Sequence, residues 1–301
     1  MKLLVIGAGG TGGILSFLLA KAGRDVTVVA RGEHLQNIQE NGLTRHAKWD
    51  DSYESIPVKA MTADEVDFTP DVIFLCVKSY SLEALVPTLK KLSGPDTLIV
   101  PLLNGYNIGG RLQTRLAGTT VLDGCIYISA NIESPGVILQ HAPILRVVYG
   151  RRDHEVTDQL KELLAALQVP NVEATLSTHI QRDTLEKFSY VSPVGAAGLY
   201  CHATAGAFQV EGPEREFVSA LMQEVTALAD AMGYPFEDDM VTRNLDILSS
   251  LPPDTTTSMQ RDILAGRQSE WNELVLEPIR LGEEYGVPTP AYRKVQEEQN
   301  P

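Results

Sequence analysis

The spacing of glycines near the N-terminus constrains this chain more than any other feature. Gly7-Ala8-Gly9-Gly10-Thr11-Gly12 follows a short β-rich apolar run, Lys2–Ile6, and opens a helical pattern, Ile14–Lys21, that closes near Gly23. A second apolar run, Asp25–Ala30, comes next. Strand, glycine turn, helix and strand within about 30 residues make one βαβ unit, the context that gives a G-x-G-x-x-G pattern meaning. Gly7 permits the tight turn, Gly9 lets backbone approach a pyrophosphate, and Gly12 lets helix and strand pack closely. The helix N-terminus adds unpaired N–H groups and a favourable dipole for phosphate. Residues 7 to 12 are therefore the expected dinucleotide-binding turn.

The same stretch superficially resembles a signal peptide, with Met1-Lys2 ahead of a mostly apolar run to Ala22. Five glycines between Gly7 and Gly13 favour the strand–turn–helix reading instead. No later run reaches the 18 apolar residues that suggest a membrane span. A net charge of −14 argues against a nucleic-acid partner, which would need clustered Lys and Arg. Cys76, Cys125 and Cys201 are scattered, with no metal-ligand spacing, so we expect no metal site and no disulfide framework. The expected setting is the reducing cytoplasm.

The second strand discriminates between cofactors. NAD-binding units usually carry an acidic residue there for the ribose 2′-hydroxyl. Here the strand ends Val28-Val29-Ala30-Arg31. A guanidinium suits a 2′-phosphate, so NADP(H) is favoured, although Glu33 nearby leaves open a solvated loop arginine. Lys78 and Asn104 each follow an apolar run, Phe74–Val77 and Val100–Leu103. The carboxyl ends of strands line the ligand crevice in open α/β sheets, so both residues lean functional.

Strand–helix alternation continues to about residue 178, with a hairpin expected from Val137–Gln140 and Leu145–Tyr149. This predicts an N-terminal Rossmann domain, 1–178, with a doubly wound, mostly parallel sheet. Beyond it the pattern is nearly all helical, giving an all-α domain, 179–301. Thr184–Tyr200 reads as a long helix that Pro193 is expected to kink, followed by helices at Arg215–Met232 and Asp239–Ser249 and intermittent helix from Ser258 to Tyr285.

At this point the chain resembles the ketopantoate reductases (2-dehydropantoate 2-reductases) over nearly its whole length. The resemblance rests on the early glycine pattern, Arg31, Val77-Lys78 and Leu103-Asn104-Gly105. It continues through Ala130, Pro135-Gly136-Val137 and His141, then Glu186-Lys187, Ser258-Met259, Asp262-Ile263, Gly266-Arg267 and Glu270. It implies a helical domain similar to that of 6-phosphogluconate dehydrogenase. It also implies roles: Lys187 as catalytic proton donor at the ketone oxygen; Lys78, Asn104, Ala130 and Glu270 at NADP; Ser258 at the substrate, with Lys187 and Asn104 beside it. The implied reaction is reduction of a 2-keto acid, 2-dehydropantoate to pantoate in pantothenate biosynthesis. A homodimer is among the expectations.

One group of positions departs from the family. Asparagines are usual four, eight and about 18 residues after the lysine, where this chain has Val191, Gly195 and Thr204-Ala205. Val and Gly are expected to leave a more apolar and roomier wall, with Ser189 and Ser192 as candidate replacement hydrogen-bonding groups. A reductase of a more apolar carbonyl compound is therefore the alternative, and a non-catalytic NADP-binding sensor a further one. Ser258 and Glu270 lie 12 residues apart, about 18 Å on one straight helix, so a break near Ala265-Gly266 is expected if they share a site. Ser258 also reads as an N-cap.

Overall fold

In the computed structural model, which describes residues 1–299, the chain folds as two compact units. The first comprises Met1–Leu103 and Asn107–Ile180; the second comprises Asn104–Tyr106 and the chain from Gln181 on.

The first unit is built on a six-stranded parallel sheet. Its spatial order is Lys59–Met61, Asp25–Val29, Lys2–Ile6, Val72–Leu75, Leu98–Pro101, Thr120–Val121. Numbered along the chain, that is 3-2-1-4-5-6, the doubly wound order of a dinucleotide-binding fold. Alternation along the first strand feeds a core on each face of the sheet. Leu3 and Val5 join one cluster with Phe17 and Leu19; Leu4 and Ile6 join another with Leu75, Leu89 and Ile99.

Helix Gly10–Lys21 is buried on nearly every side from Gly12 to Leu19. Its outer face is covered by a second, four-stranded sheet, ordered Ala130–Ser134, Val137–Gln140, Leu43–Ala47, Ser52–Ile56. That double burial explains why the helix is apolar all round. A third sheet joins Glu173–Leu176, Arg146–Gly150 and Asp123–Tyr127. The hairpin expected between 137–140 and 145–149 is not formed. Val137–Gln140 pairs antiparallel with Ala130–Ser134 and parallel with Leu43–Ala47, whereas Arg146–Gly150 belongs to the third sheet.

The second unit is helical. Ile180–Tyr200 runs continuously through Pro193, followed by Pro213–Ala231, Met240–Ser249, Ser258–Leu264, Glu277–Tyr285 and Pro290–Gln299. A wide π-helical turn, Asn272–Leu276, precedes Glu277–Tyr285. Proline inside a helix withholds one N–H and leaves the carbonyl four residues earlier without its usual donor. For Pro193 that carbonyl is Ser189, and the buried Asn244 amide donates to it at 3.0 Å. Among the described residues no helix is long and apolar enough to cross a membrane, no acidic, His or Cys cluster could hold a metal, and the three cysteines are unbridged.

Candidate active site

In the first unit the glycine turn sits at the carboxyl edge of the parallel sheet. Gly7 adopts φ +105°, and a Cβ there would lie 2.7 Å from the Cys76 carbonyl oxygen, so the turn closes against the neighbouring strand's end. A Cβ at Gly12 would meet the Gly7 carbonyl oxygen at 1.9 Å, and one at Gly10 the Ala130 carbonyl oxygen at 2.3 Å. Two sequence-predicted positions, Gly10 and Ala130, are thus brought into contact. Gly9 differs from its neighbours: nothing lies within 4 Å of where its Cβ would be. The structure leaves the approach to that backbone open.

Gly9 caps helix Gly10–Lys21, whose first turn carries no acidic residue. The first helical N–H groups have no partner within the helix. Arg31 is exposed two residues beyond the second strand and caps helix Gly32–Asn41; no ion pair joins it to Glu33 among the described residues. Lys78 is half-buried three residues beyond strand Val72–Leu75, at the same sheet edge. Open backbone at Gly9, first-turn helix N–H groups and an exposed guanidinium fit a dinucleotide.

Sequence reasoning missed His34. It accepts from the Gly136 N–H through Nδ1 at 2.9 Å, so Nε2 carries the proton and donates to the Ala8 carbonyl at 2.8 Å. It braces the glycine turn from outside. No local pattern marks it, because both partners are backbone groups distant in sequence.

In the second unit three predicted residues form a chain. The Lys187 Nζ donates to Asn104 Oδ1 at 2.9 Å, and Asn104 Nδ2 donates to Glu270 Oε2 at 3.3 Å. Lys187 is 8% exposed and Glu270 3%. The amide has one workable orientation: turned over, its NH₂ would face the ammonium and its oxygen the carboxylate. Burying an ammonium is costly unless an opposite charge and hydrogen bonds accompany it, and removing one partner of a buried pair costs about 3–5 kcal/mol. Asn104 lies just beyond strand Leu98–Pro101, in the short segment that folds with the second unit.

Ser258 is placed differently from its sequence reading as a cap. Thr257 caps the helix, through a reciprocal box with Gln260, and Ser258 is the first helical residue, half-buried. No described hydrogen bond joins Ser258 to the Lys187–Asn104–Glu270 chain. The expected break occurs: the helix ends at Leu264 and Gly266 turns with φ +64°.

Two expectations about the family-divergent wall are corrected. Gly195 leaves no hollow, because a Cβ there would meet the Met259 methyl at 2.9 Å, and Met259 is fully buried. The space an asparagine would take is filled by a thioether. Nor are Ser189 and Ser192 available for substrate. Ser189 donates to the Glu186 carbonyl at 2.7 Å and accepts from Asn244 at 2.9 Å. Ser192 donates to the Leu274 carbonyl at 2.6 Å and accepts from the Tyr292 hydroxyl at 2.5 Å.

Two family models match the chain. The model of ketopantoate reductase PanE/ApbA matches residues 3–154, and that of its C-terminal part matches residues 179–298. A 2-dehydropantoate 2-reductase of Mesorhizobium japonicum is 27% identical, over 96% of this chain and 94% of its own. The crystal structure of 2-dehydropantoate 2-reductase from Methylococcus capsulatus superposes with a TM-score of 0.88 at 26% identity, covering 100% of this chain and 96% of that one. A D-mandelate dehydrogenase complex with NADH and anilino(oxo)acetate superposes with a TM-score of 0.86, covering 99% and 96%; at 21% identity this likeness speaks to the fold.

Proposed function

The chain belongs to the ketopantoate reductase family, and on that premise we propose that it is an NADPH-dependent reductase of 2-keto acids with Lys187 as its acid. The observation that carries the reading is the buried Glu270–Asn104–Lys187 chain. A nucleotide-binding sensor needs no such group, whereas a carbonyl reductase does.

A reduced nicotinamide, when bound, supplies two electrons and one hydrogen to C2 of the keto acid. Negative charge then develops on the carbonyl oxygen, and the Lys187 ammonium stabilises it and transfers a proton from Nζ, giving the hydroxyl. Asn104 fixes the direction of Nζ, and Glu270 fixes the amide and balances the charge. Burial strengthens each of these interactions. The glycine turn, Arg31, Lys78 and Ala130 are assigned to holding the nucleotide, with Arg31 at the 2′-phosphate. Ser258 is assigned to the substrate.

The proposed acceptor is 2-dehydropantoate, forming pantoate for pantothenate biosynthesis. A second reading, a more apolar 2-keto acid, is favoured by Val191 and by the Met259 methyl seated on Gly195, where a wall of amides would otherwise offer hydrogen bonds. A site that hydrogen-bonds a substrate hydroxyl rejects analogues lacking it far more strongly than an apolar wall rejects a hydroxyl. NADPH oxidation against 2-dehydropantoate, straight-chain and branched 2-keto acids and phenylglyoxylate separates these readings. Highest kcat/KM with 2-dehydropantoate supports the first, and with an apolar or aryl acid the second. No turnover with any of them would overturn both.

A further inference from the structure

Two helices of the second unit carry a proline that interrupts their hydrogen bonding, and each proline lies about two turns beyond a residue of the proposed site. Pro193 follows Lys187, and Pro278 follows Glu270. Pro278 has no N–H for the carbonyl four residues earlier, which is Leu274. The group that donates to Leu274 is the Ser192 hydroxyl, from the helix that carries Lys187. Because the single Ser192 proton is spent there, the 2.5 Å contact with Tyr292 has Tyr292 as donor. Burial pushes the Tyr292 hydroxyl well above its ordinary range, so it keeps that proton.

The result is a directed, buried relay, Tyr292 to Ser192 to the Leu274 carbonyl, with both side chains fully buried. It connects the last helix, the lysine helix and the π-helical turn Asn272–Leu276. Such turns are uncommon and recur at functional sites. Ser192 is five residues beyond Lys187 and Leu274 four beyond Glu270, so the relay ties the same two segments that Asn104 bridges through side chains. An alanine at 192 would leave the Leu274 carbonyl without this donor, in a residue only 3% exposed.

Resting on the assignment of Lys187 as the acid, we infer that Ser192, held by Tyr292, is a positioning residue that sets the register of the Lys187 helix against the Glu270 segment. It acts through the backbone, one turn from the site, and touches no reactant. Small displacements of a catalytic group cost rate more than binding.

The test compares the wild-type protein with Ser192→Ala, Ser192→Cys, Tyr292→Phe and, as a control for general loosening, Leu221→Ala, which truncates the same core at a side chain that has no hydrogen-bonding group. With NADPH and whichever panel acid the wild type reduces best, Ser192→Ala should lower kcat by about 10- to 100-fold, with KM and the NADPH dissociation constant within about twofold. Tyr292→Phe should lose less, and Ser192→Cys, a weaker donor of similar size, should recover part of the loss. Leu221→Ala should lower Tm without this split. The second readout needs no turnover: the side-chain resonance of Lys187 in nitrogen-labelled protein, sharpened where its ammonium protons are held at Asn104. It should broaden in Ser192→Ala and persist in Leu221→Ala. If Ser192→Ala fails to fold, the cysteine and phenylalanine variants decide by the same two readouts. Unchanged kcat and an unchanged resonance in the relay variants would overturn the inference. A wild type inert toward every 2-keto acid would overturn the functional reading instead, and the resonance would still decide whether the tie holds Lys187.

Discussion

The two units reach their chemistry by opposite routes. In the first, the candidate cofactor site is made of backbone: Gly7 to Gly12 lie consecutively, and what each must do follows from what would collide with a side chain there. In the second, the candidate acid is made of side chains brought together from afar, with Lys187 83 positions and Glu270 166 positions along the chain from Asn104. A backbone site can be written in six adjacent residues. A buried charge needs partners whose positions only packing decides.

Variants that separate binding from chemistry sharpen this contrast. The largest effect in the first unit is expected from Gly9→Ala. Nothing stands within 4 Å of the added methyl and the backbone there is extended, so Tm should be unchanged. Dinucleotide affinity should fall about 10- to 100-fold, since the methyl takes the ligand's approach. Gly10→Ala should behave in reverse order, lowering Tm first, because its methyl would collide with the Ala130 backbone. Calorimetry and NADPH titration of the pair check this, and equal Tm losses would break the argument that Gly9 alone is left open for a ligand.

Arg31→Ala comes next. A charge-assisted bond to phosphate contributes about 1.5–3 kcal/mol, so NADPH affinity should drop about 10-fold or more while NADH affinity barely changes. Equal losses for both nucleotides would remove Arg31 from the 2′-phosphate.

The smallest effect concerns stability and lies away from both sites. His46 bonds Glu133 through Nδ1 and Asp51 through Nε2, each at 2.9 Å, an arrangement that requires both ring nitrogens to be protonated. Burial pulls its pKa down, but the two carboxylates outweigh burial and raise it above the ordinary 6.5. The contribution is therefore fully present below pH 6.5 and lost as pH rises through the raised value. Tm of the wild type should decline more over that interval than Tm of His46→Gln. Parallel curves would show that His46 carries no such linkage.

How much was legible in the sequence follows the same contrast. The four inner strands of the parallel sheet and its glycine turn were readable because buried parallel strands are continuous apolar runs and the turn is local. Leu43–Ala47, Ser52–Ile56 and Lys59–Met61 were not, since Arg45, Glu54 and Lys59 interrupt any apolar pattern. Nor was the pairing of Val137–Gln140 with Leu43–Ala47, which bridges more chain than any turn signal can report. In the helical unit Pro193 announced an orphaned carbonyl, yet nothing local could name Asn244 as its donor. Gly195 was misread as free space for the same reason, because Met259 comes from another helix.

The central claim is that the first unit holds the electron donor and Lys187 of the second supplies the proton. Lys187→Ala tests it most directly, with NADPH affinity and kcat toward the best 2-keto acid measured on one preparation. The account predicts kcat reduced by about 100- to 10,000-fold with the NADPH dissociation constant essentially unchanged. A kcat within a few-fold of wild type would contradict it.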